Sequence, residues 1–429
     1  MKIKRVELEN FRSIRQMGLD FRPGFNIIAG VNGAGKSTLL DAIDLLLSWV
    51  KNRIRLHSSS GSYPQLSDIS KGATFARLRI VAENSCGTDN DKEIIWEIAK
   101  ISSAFRNGNR PKSELGSLTE FTDQLASLYY ENNGEVSMPM FVKYSVNRSL
   151  IDIPTHVHKK HVLDAMALYE GKIDGGSNLR SFYEWFRERE DIEREEREER
   201  KTFEYEDKQL KSVRTAISLV MEGYGDLHTR RKAPSGFELR KDGKTFRVEE
   251  LSDGEKCYLT LIGDIARRLA ICNPALQNPT EGEGIILIDE LELHLHPLWQ
   301  AQAIDKLRKV FPNCQFFITT HSPHIVQNLH LETSDSITVL RDGNYMNVET
   351  SYGSPVDEVL SEVFQLETLR PLPLQIGLKN IWALLNEGDF DSPELENALN
   401  DLKLMLPNSD PEMSRINLQV ALNKKRQAK

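Results

Sequence analysis

A chain of 429 residues, 39% of them hydrophobic, can bury a substantial core and has the length of two or three domains. Its 55 Lys and Arg against 63 Asp and Glu leave a net charge of −8, which excludes a surface that is basic throughout and confines any nucleic-acid contact to a local basic patch. Cys86, Cys257, Cys272 and Cys314 lack paired spacing, so neither a zinc ribbon nor a disulfide framework is indicated, and with no apolar h-region and no run of about 18 to 20 apolar residues the expectation is a cytoplasmic protein without membrane contact.

In chain order, Ile3, Val6 and Leu8 alternate with polar residues and predict a first strand, Phe25 to Ala29 predicts a second, and Thr38 to Val50 has the apolar period of a helix. Further strands are expected at Phe75 to Val81, Ile94 to Ile98 and Met138 to Tyr144, with a polar loop around Asn107 to Lys112. From about 150 to 245 the composition shifts towards long charged helices. The run Phe186 to Lys201 alternates acid and base with many i,i+4 pairs, and it reads as a solvated helix or one half of a helical arm. Apolar residues resume at Val213 to Met221. Mixed αβ character returns from Phe237 to about Val348, with buried-strand runs at Ile285 to Ile288 and Gln315 to Thr319. Beyond Val356, Val359, Leu360, Val363, Phe364, Ile381, Leu384, Leu385, Leu395 and Leu399 have helical spacing, ahead of a basic tail at Lys424, Lys425 and Arg426.

Between the second strand and the first helix runs Gly30-Val31-Asn32-Gly33-Ala34-Gly35-Lys36-Ser37-Thr38, a complete phosphate-binding loop in the context that the motif needs. Its glycines let backbone N–H groups of Asn32, Gly33, Ala34 and Gly35 wrap phosphates at a helix N-terminus, with Ser37 and Thr38 following. Lys36 reaches the β- and γ-phosphates, and the Ser37 hydroxyl ligates Mg²⁺. A second motif, Gly284 to Glu290, is an apolar strand ending in two carboxylates. Asp289 is expected to hold Mg²⁺ through water, and Glu290 to orient or deprotonate the attacking water. The bland alternative, a strand ending in an acidic turn, loses its force beside the loop at 30 to 38.

Leu251-Ser252-Asp253-Gly254-Glu255-Lys256, just before a predicted helix, resembles the Leu-Ser-Gly-Gly-Gln signature of ABC ATPases, and Thr319-Thr320-His321-Ser322 stands where that family places its switch histidine. Asp253 and Glu255 depart from the transporters' Gly and Gln, and no Q-loop glutamine is evident. The resemblance implies that Ser252, Asp253, Gly254 and Glu255 approach the γ-phosphate of ATP bound to an opposite copy, giving a homodimer or higher even-numbered oligomer with two enclosed nucleotides. It implies a catalytic role for His321 alongside Glu290.

From Gly30 to Ser252 is 222 positions and from Ser252 to Asp289 only 37, a layout that resembles the Rad50, SMC, RecF and OLD branch with a short insertion. Arg12 and Ser13, within Glu9-Asn10-Phe11-Arg12-Ser13-Ile14, would then lie near the base and phosphates. Leu291-Glu292-Leu293-His294-Leu295-His296-Pro297-Leu298-Trp299-Gln300 is similar to the PtuA family of Septu and retron-associated anti-phage systems, as are Pro139 to Arg148 and Val359 to Phe364. His294 and His296 fit no zinc spacing and are read as part of the D-loop; His156, His158 and His161 are read as surface histidines.

The expected fold class is therefore α/β, a P-loop ABC-ATPase head with a mixed sheet flanked by helices, an inserted helical arm and a helical C-terminal extension. The expected division is residues 1–150 for the first half of the head, 151–245 for the helical insertion, 246–350 for the second half and 351–429 for a helical region that could dock a partner. The resemblance implies ATP and Mg²⁺ as ligands, with an HNH nuclease subunit, PtuB-like, as partner and room for a reverse transcriptase with its RNA–DNA. A RecF-like repair ATPase that binds DNA directly is the alternative. A Toprim nuclease within the chain is disfavoured, because Glu387-Gly388-Asp389-Phe390-Asp391 sits between predicted helices.

Overall fold

Alternating runs and unbroken apolar runs of this chain separate into different sheets. The computed structural model describes residues 1–85, 93–103, 105, 110–146, 164–170, 179–232, 234–341, 343–366, 370–388, 392–407 and 409–427. Cys86, Asn147, Arg148, His156, His158, His161, Asp389 and Asp391, part of the loop expected around Asn107, and the side chains of Lys424, Lys425 and Arg426 lie outside the described residues. The strands in chain order are β1 (Lys2–Phe11), β2 (Ile14–Asp20), β3 (Phe25–Ala29), β4 (Phe75–Glu83), β5 (Glu93–Ile101), β6 (Met140–Tyr144), β7 (Tyr224–Arg230), β8 (Gly236–Lys241), β9 (Lys244–Arg247), β10 (Gly284–Ile288), β11 (Cys314–Thr320), β12 (Ser336–Arg341) and β13 (Asn344–Val348).

The alternating strands form an antiparallel sheet in the order β2-β1-β4-β5, buried on one face through Val6, Leu8, Leu78, Ile80, Trp96 and Ile98. The unbroken apolar strands β3, β10 and β11 are buried at every residue, and they lie in a six-stranded sheet in the order β13-β12-β3-β11-β10-β6. All its pairings are parallel except β12 with β13, as strands covered on both faces require. The helix Lys36–Arg55 starts directly behind the Gly-rich loop and buries Leu39, Leu40, Ile43, Leu46, Leu47, Val50 and Ile54, a stripe of period 3.6. This is the mixed sheet flanked by helices that the motifs imply.

Three features depart from the sequence expectation. The helix Gly116–Glu131 was not foreseen, although Leu118, Phe121, Thr122, Leu125 and Tyr129 give it a buried face at helical spacing. β7, inside the stretch expected to be helical, forms an antiparallel sheet with β8 and β9, which fall where αβ character was expected to return; its second hairpin is closed by Asp242 and Gly243 at φ 48° and 80°, the left-handed pair that a two-residue turn needs. The charged helix Leu179–Arg200 is only partly solvated. Phe182 and Phe186 pack on Phe237 at ring distances of 5.2 and 5.4 Å, and Glu190 and Glu193 are buried against Arg214.

The chain divides into two compact units, Met1–Val359 and Leu360–Lys429. The second has its own core of Leu374, Leu378, Ile381, Leu385, Leu395, Leu402, Met413 and Ile416 on the helices Leu372–Asn386, Pro393–Met405 and Pro411–Gln427. Among its described residues there is no strand, so none of the sheet of a Toprim fold is among them. No described helix is long and apolar enough to cross a membrane.

A buried ionic cluster fixes the helix Asp253–Cys272 to β6. The Tyr144 hydroxyl donates to Asp264 at 2.9 Å, and Arg267 and Arg268 donate to the same carboxylate at 2.6 and 2.7 Å. Burial pushes the Asp264 carboxyl up, but the two guanidiniums outweigh it and hold it well below the usual carboxylate range. Asp264→Asn leaves both arginines short of their counter-charge and should cost about 3 to 5 kcal/mol in urea unfolding at neutral pH. A depressed folded value gives stability that is present above the unfolded carboxyl value of about 3.9 and is lost as pH falls through the lower folded one, so the difference between variant and parent should close only in strong acid.

Candidate nucleotide site

β3 delivers the Gly-rich loop to the edge of the parallel sheet, and β11 and β10 beside it deliver His321 and the two carboxylates to the same edge. Gly30 is at φ 145°, with Leu340 O only 2.4 Å from where a Cβ would be; Gly33 and Gly35 are at φ 80° and 100°. Asn32 and Gly33 are exposed at the loop crest, Ala34 is buried with its N–H on Val31 O, and Ser37 and Thr38 begin the helix.

Lys36 is buried, and its ammonium donates to Gly30 O at 2.9 Å and Val31 O at 3.1 Å and lies 2.7 Å from His321 Nε2. Burial lowers its pKa, against the attraction of Glu290, Asp289 and Glu292. The His321 imidazole is likewise lowered, first by burial and then by Lys36, which suits a neutral ring accepting at Nε2. Glu290 adopts φ 50°; its N–H donates to Thr319 Oγ1 at 2.8 Å, and its carboxylate lies 3.8 Å from His321 Nε2.

The Ser37 hydroxyl donates to Asp289 Oδ1 at 3.2 Å, and the Thr319 hydroxyl donates to the same oxygen. A hydroxyl and a carboxylate converging at the mouth of a phosphate loop are hard oxygen donors, and they fit Mg²⁺ completed by phosphate and water. Among the described residues no cluster of three or more His, Cys, Asp or Glu is arranged to hold a metal by itself. His296 caps the helix Pro297–Val310 through Nδ1, and His294 is at φ 66°.

The structure does not bring every expected residue to this point. Ser13 borders the loop, its Oγ 3.8 Å from the Cβ position of Gly35. The Arg12 guanidinium is held by Asp68 through Nε and by Asp41 through Nη1, and it lines a cleft of about 910 Å³ with Lys143 and Ser145. Ser252, Gly254 and Glu255 line a separate cavity of about 630 Å³ with His294, Leu295, His296 and Trp299, and no residue of the 30–38 loop lines it. Ser252 caps the helix Asp253–Cys272, and Asp253 is exposed. Gly254 admits no side chain, because His294 O is 2.2 Å from its Cβ position.

Sequence reasoning missed Glu292, whose Oε1 accepts the backbone N–H of His321 and so ties the loop after β10 to the loop after β11. The third acid in Asp289-Glu290-Leu291-Glu292 was its signal. It also missed the Asp289 contact of Thr319, and Tyr224 and Lys241, which reach Glu255 from the small sheet.

A family model described as an AAA domain matches residues 5–222, and a second AAA-domain model, whose description names the AbiEii toxin and a type IV toxin–antitoxin system, matches residues 149–327. The chain is 27% identical to the "Retron Ec83 probable ATPase" of Escherichia coli, over 86% of this chain and 77% of that one. It is 25% identical to "Septu protein PtuA" of Bacillus thuringiensis over 98% of both. A solved SMC head, bound to the C-terminal winged-helix domain of ScpA, superposes with a TM-score of 0.48 at 18% identity, over 81% of this chain and 98% of that one.

Proposed function

The chain belongs to the AAA-domain family and is an ABC-type ATPase related to PtuA, and on that premise we propose that it binds and hydrolyses ATP between two copies of itself as the regulatory subunit of an anti-phage defence complex. The effector it controls is a separate HNH nuclease. In this reading the loop amides from Asn32 to Ser37 and the Lys36 ammonium hold the β- and γ-phosphates. Ser37 and Asp289 hold Mg²⁺, which when bound neutralises charge on the phosphate oxygens. Glu290 accepts a proton from the attacking water, and His321, passed from Lys36 to the nucleotide, reads whether the γ-phosphate is present.

The observation that carries the reading is the separation of two half-sites: Lys36, Ser37, Asp289, Glu290 and His321 converge at one sheet edge, while the signature residues line a cavity that the loop does not enter. A second copy related by a two-fold axis completes both.

The test is to express tagged Glu290→Gln protein with its native neighbouring genes and purify it with ATP and Mg²⁺. Recovery of an even-numbered oligomer with a small HNH protein, with or without a reverse transcriptase and its RNA–DNA, is the expected result. A bare dimer carrying only DNA points to a RecF-like repair ATPase instead.

A further inference from the structure

The carboxylate of Glu255 sits where a negative charge opposes the work proposed for the signature loop. It occupies the first turn of the helix Asp253–Cys272 and accepts from the Ser252 N–H at 2.7 Å and the Ser252 hydroxyl at 2.8 Å, a reciprocal cap. A helix N-terminus presents about half a positive elementary charge, so one carboxylate fixed upon it reverses the sign of the field and repels a triphosphate brought to the same hydroxyl. Burial tends to raise the Glu255 carboxyl, but its hydrogen bonds hold it down to about 2, so it stays charged.

The compensating charge comes from the small sheet, 14 positions earlier in the chain. Lys241 ends β8, and its ammonium donates to Glu255 Oε1, the oxygen that also accepts from the Tyr224 hydroxyl. Tyr224 and Lys241 are register partners across β7 and β8, and the ammonium lies 5.1 Å from the Tyr224 ring centroid, so the tyrosine fixes its approach. The Glu255 side chain is only 15% exposed, which leaves the pair weakly screened. Asp253, the other acid of that turn, is 73% exposed and has Lys256 at 3.5 Å, so solvent and a neighbour already blunt it.

We propose that Lys241 is a positioning residue of the composite ATP site: it cancels the charge of Glu255, so that the signature helix remains attractive to the triphosphate held by the opposite copy, and Tyr224 holds it in place. The proposal rests on the pairing of two copies around ATP. Lys241 supplies no direct contact to the reacting atoms. It acts through Glu255 and Ser252, in a cavity they line together.

The test uses the full chain in the Glu290→Gln background, with ATP-driven dimerisation followed by sedimentation and ATP binding to the dilute monomer followed with a fluorescent ATP analogue. Lys241→Met should leave monomer binding at the parental affinity and weaken ATP-driven dimerisation at least about tenfold. Lys241→Arg should keep dimerisation. Adding Glu255→Gln to Lys241→Met should restore most of it, because Gln keeps the cap and carries no charge.

A Lys241→Met protein that dimerises as tightly as its parent, or a double variant as weak as Lys241→Met alone, overturns the proposal and leaves the shared-site reading intact. A parent that stays monomeric with ATP removes the shared-site reading, and this inference with it.

Discussion

Replacing Glu290 with Gln should lower steady-state ATP turnover by about 10² to 10⁴-fold while leaving ATP bound. The residue is held for a purpose that packing does not explain. Its backbone sits at φ 50°, a left-handed conformation costly for a residue other than glycine, and is fixed there by the hydrogen bond from its N–H to Thr319 Oγ1. Its carboxylate is 3.8 Å from His321 Nε2 and close enough to Lys36 to attract it. Gln keeps the shape and the neighbours but cannot take a proton from water. Single-turnover hydrolysis measured beside equilibrium ATP binding separates the two effects. A variant that hydrolyses ATP at the parental rate removes Glu290 from the chemistry.

Replacing Lys36 with Ala should abolish useful ATP binding, weakening it by about 10² to 10³-fold, since a largely desolvated charge partner of the phosphates is lost. The free protein already shows what that ammonium seeks: two loop carbonyls, Gly30 O and Val31 O, and the ring of His321 stand in as its acceptors. Burial lowers its pKa from the ordinary 10.5. The charged form therefore disappears at a lower pH than for an exposed lysine. Parental ATP affinity should fall as pH rises into that range, with proton uptake on binding, whereas the Ala variant should lack that limb. Isothermal titration in buffers of different ionisation enthalpy reads both.

The parts of the site that were legible in the sequence are those whose geometry the local backbone dictates. A glycine at φ 145° with a carbonyl against it, a lysine at the first turn of a helix, and a carboxylate pair ending a fully buried strand all follow from a few consecutive residues. Glu292 was within reach of the same reasoning, but its partner, the N–H of His321, lies 29 positions away in the loop after another strand. Lys241 and Tyr224 come to Glu255 only through the register of a sheet whose first strand begins 31 positions before that residue.

The fold shows the same division. Strands with strict alternation or continuous apolar runs were evident, as was the helix behind the loop. The small sheet was concealed by the charged composition around it, although Asp242-Gly243 between Lys241 and Lys244 carried a hairpin signal. The run Phe186 to Lys201 looked solvated because its charges pair along the helix; Arg214, which draws Glu190 and Glu193 inward, belongs to the next helix.

The close approach of Gly254 to the His294 carbonyl joins the first turn of the helix Asp253–Cys272 to the segment that follows β10. His294 stands four positions beyond Glu290, and Gly254 two beyond Ser252, so the surface proposed to face a neighbour and the base proposed for the chain's own nucleotide are joined through one close contact. In the proposed pair of copies each such contact would be at once a lid for the neighbour and a lever on the chain's own site. A single occupied site would then seat only half of the machinery, and the proposed assembly would respond to nucleotides in twos. In that proposed pair the loss of one γ-phosphate would open both sites together, the behaviour of a latch with two bolts thrown by one key.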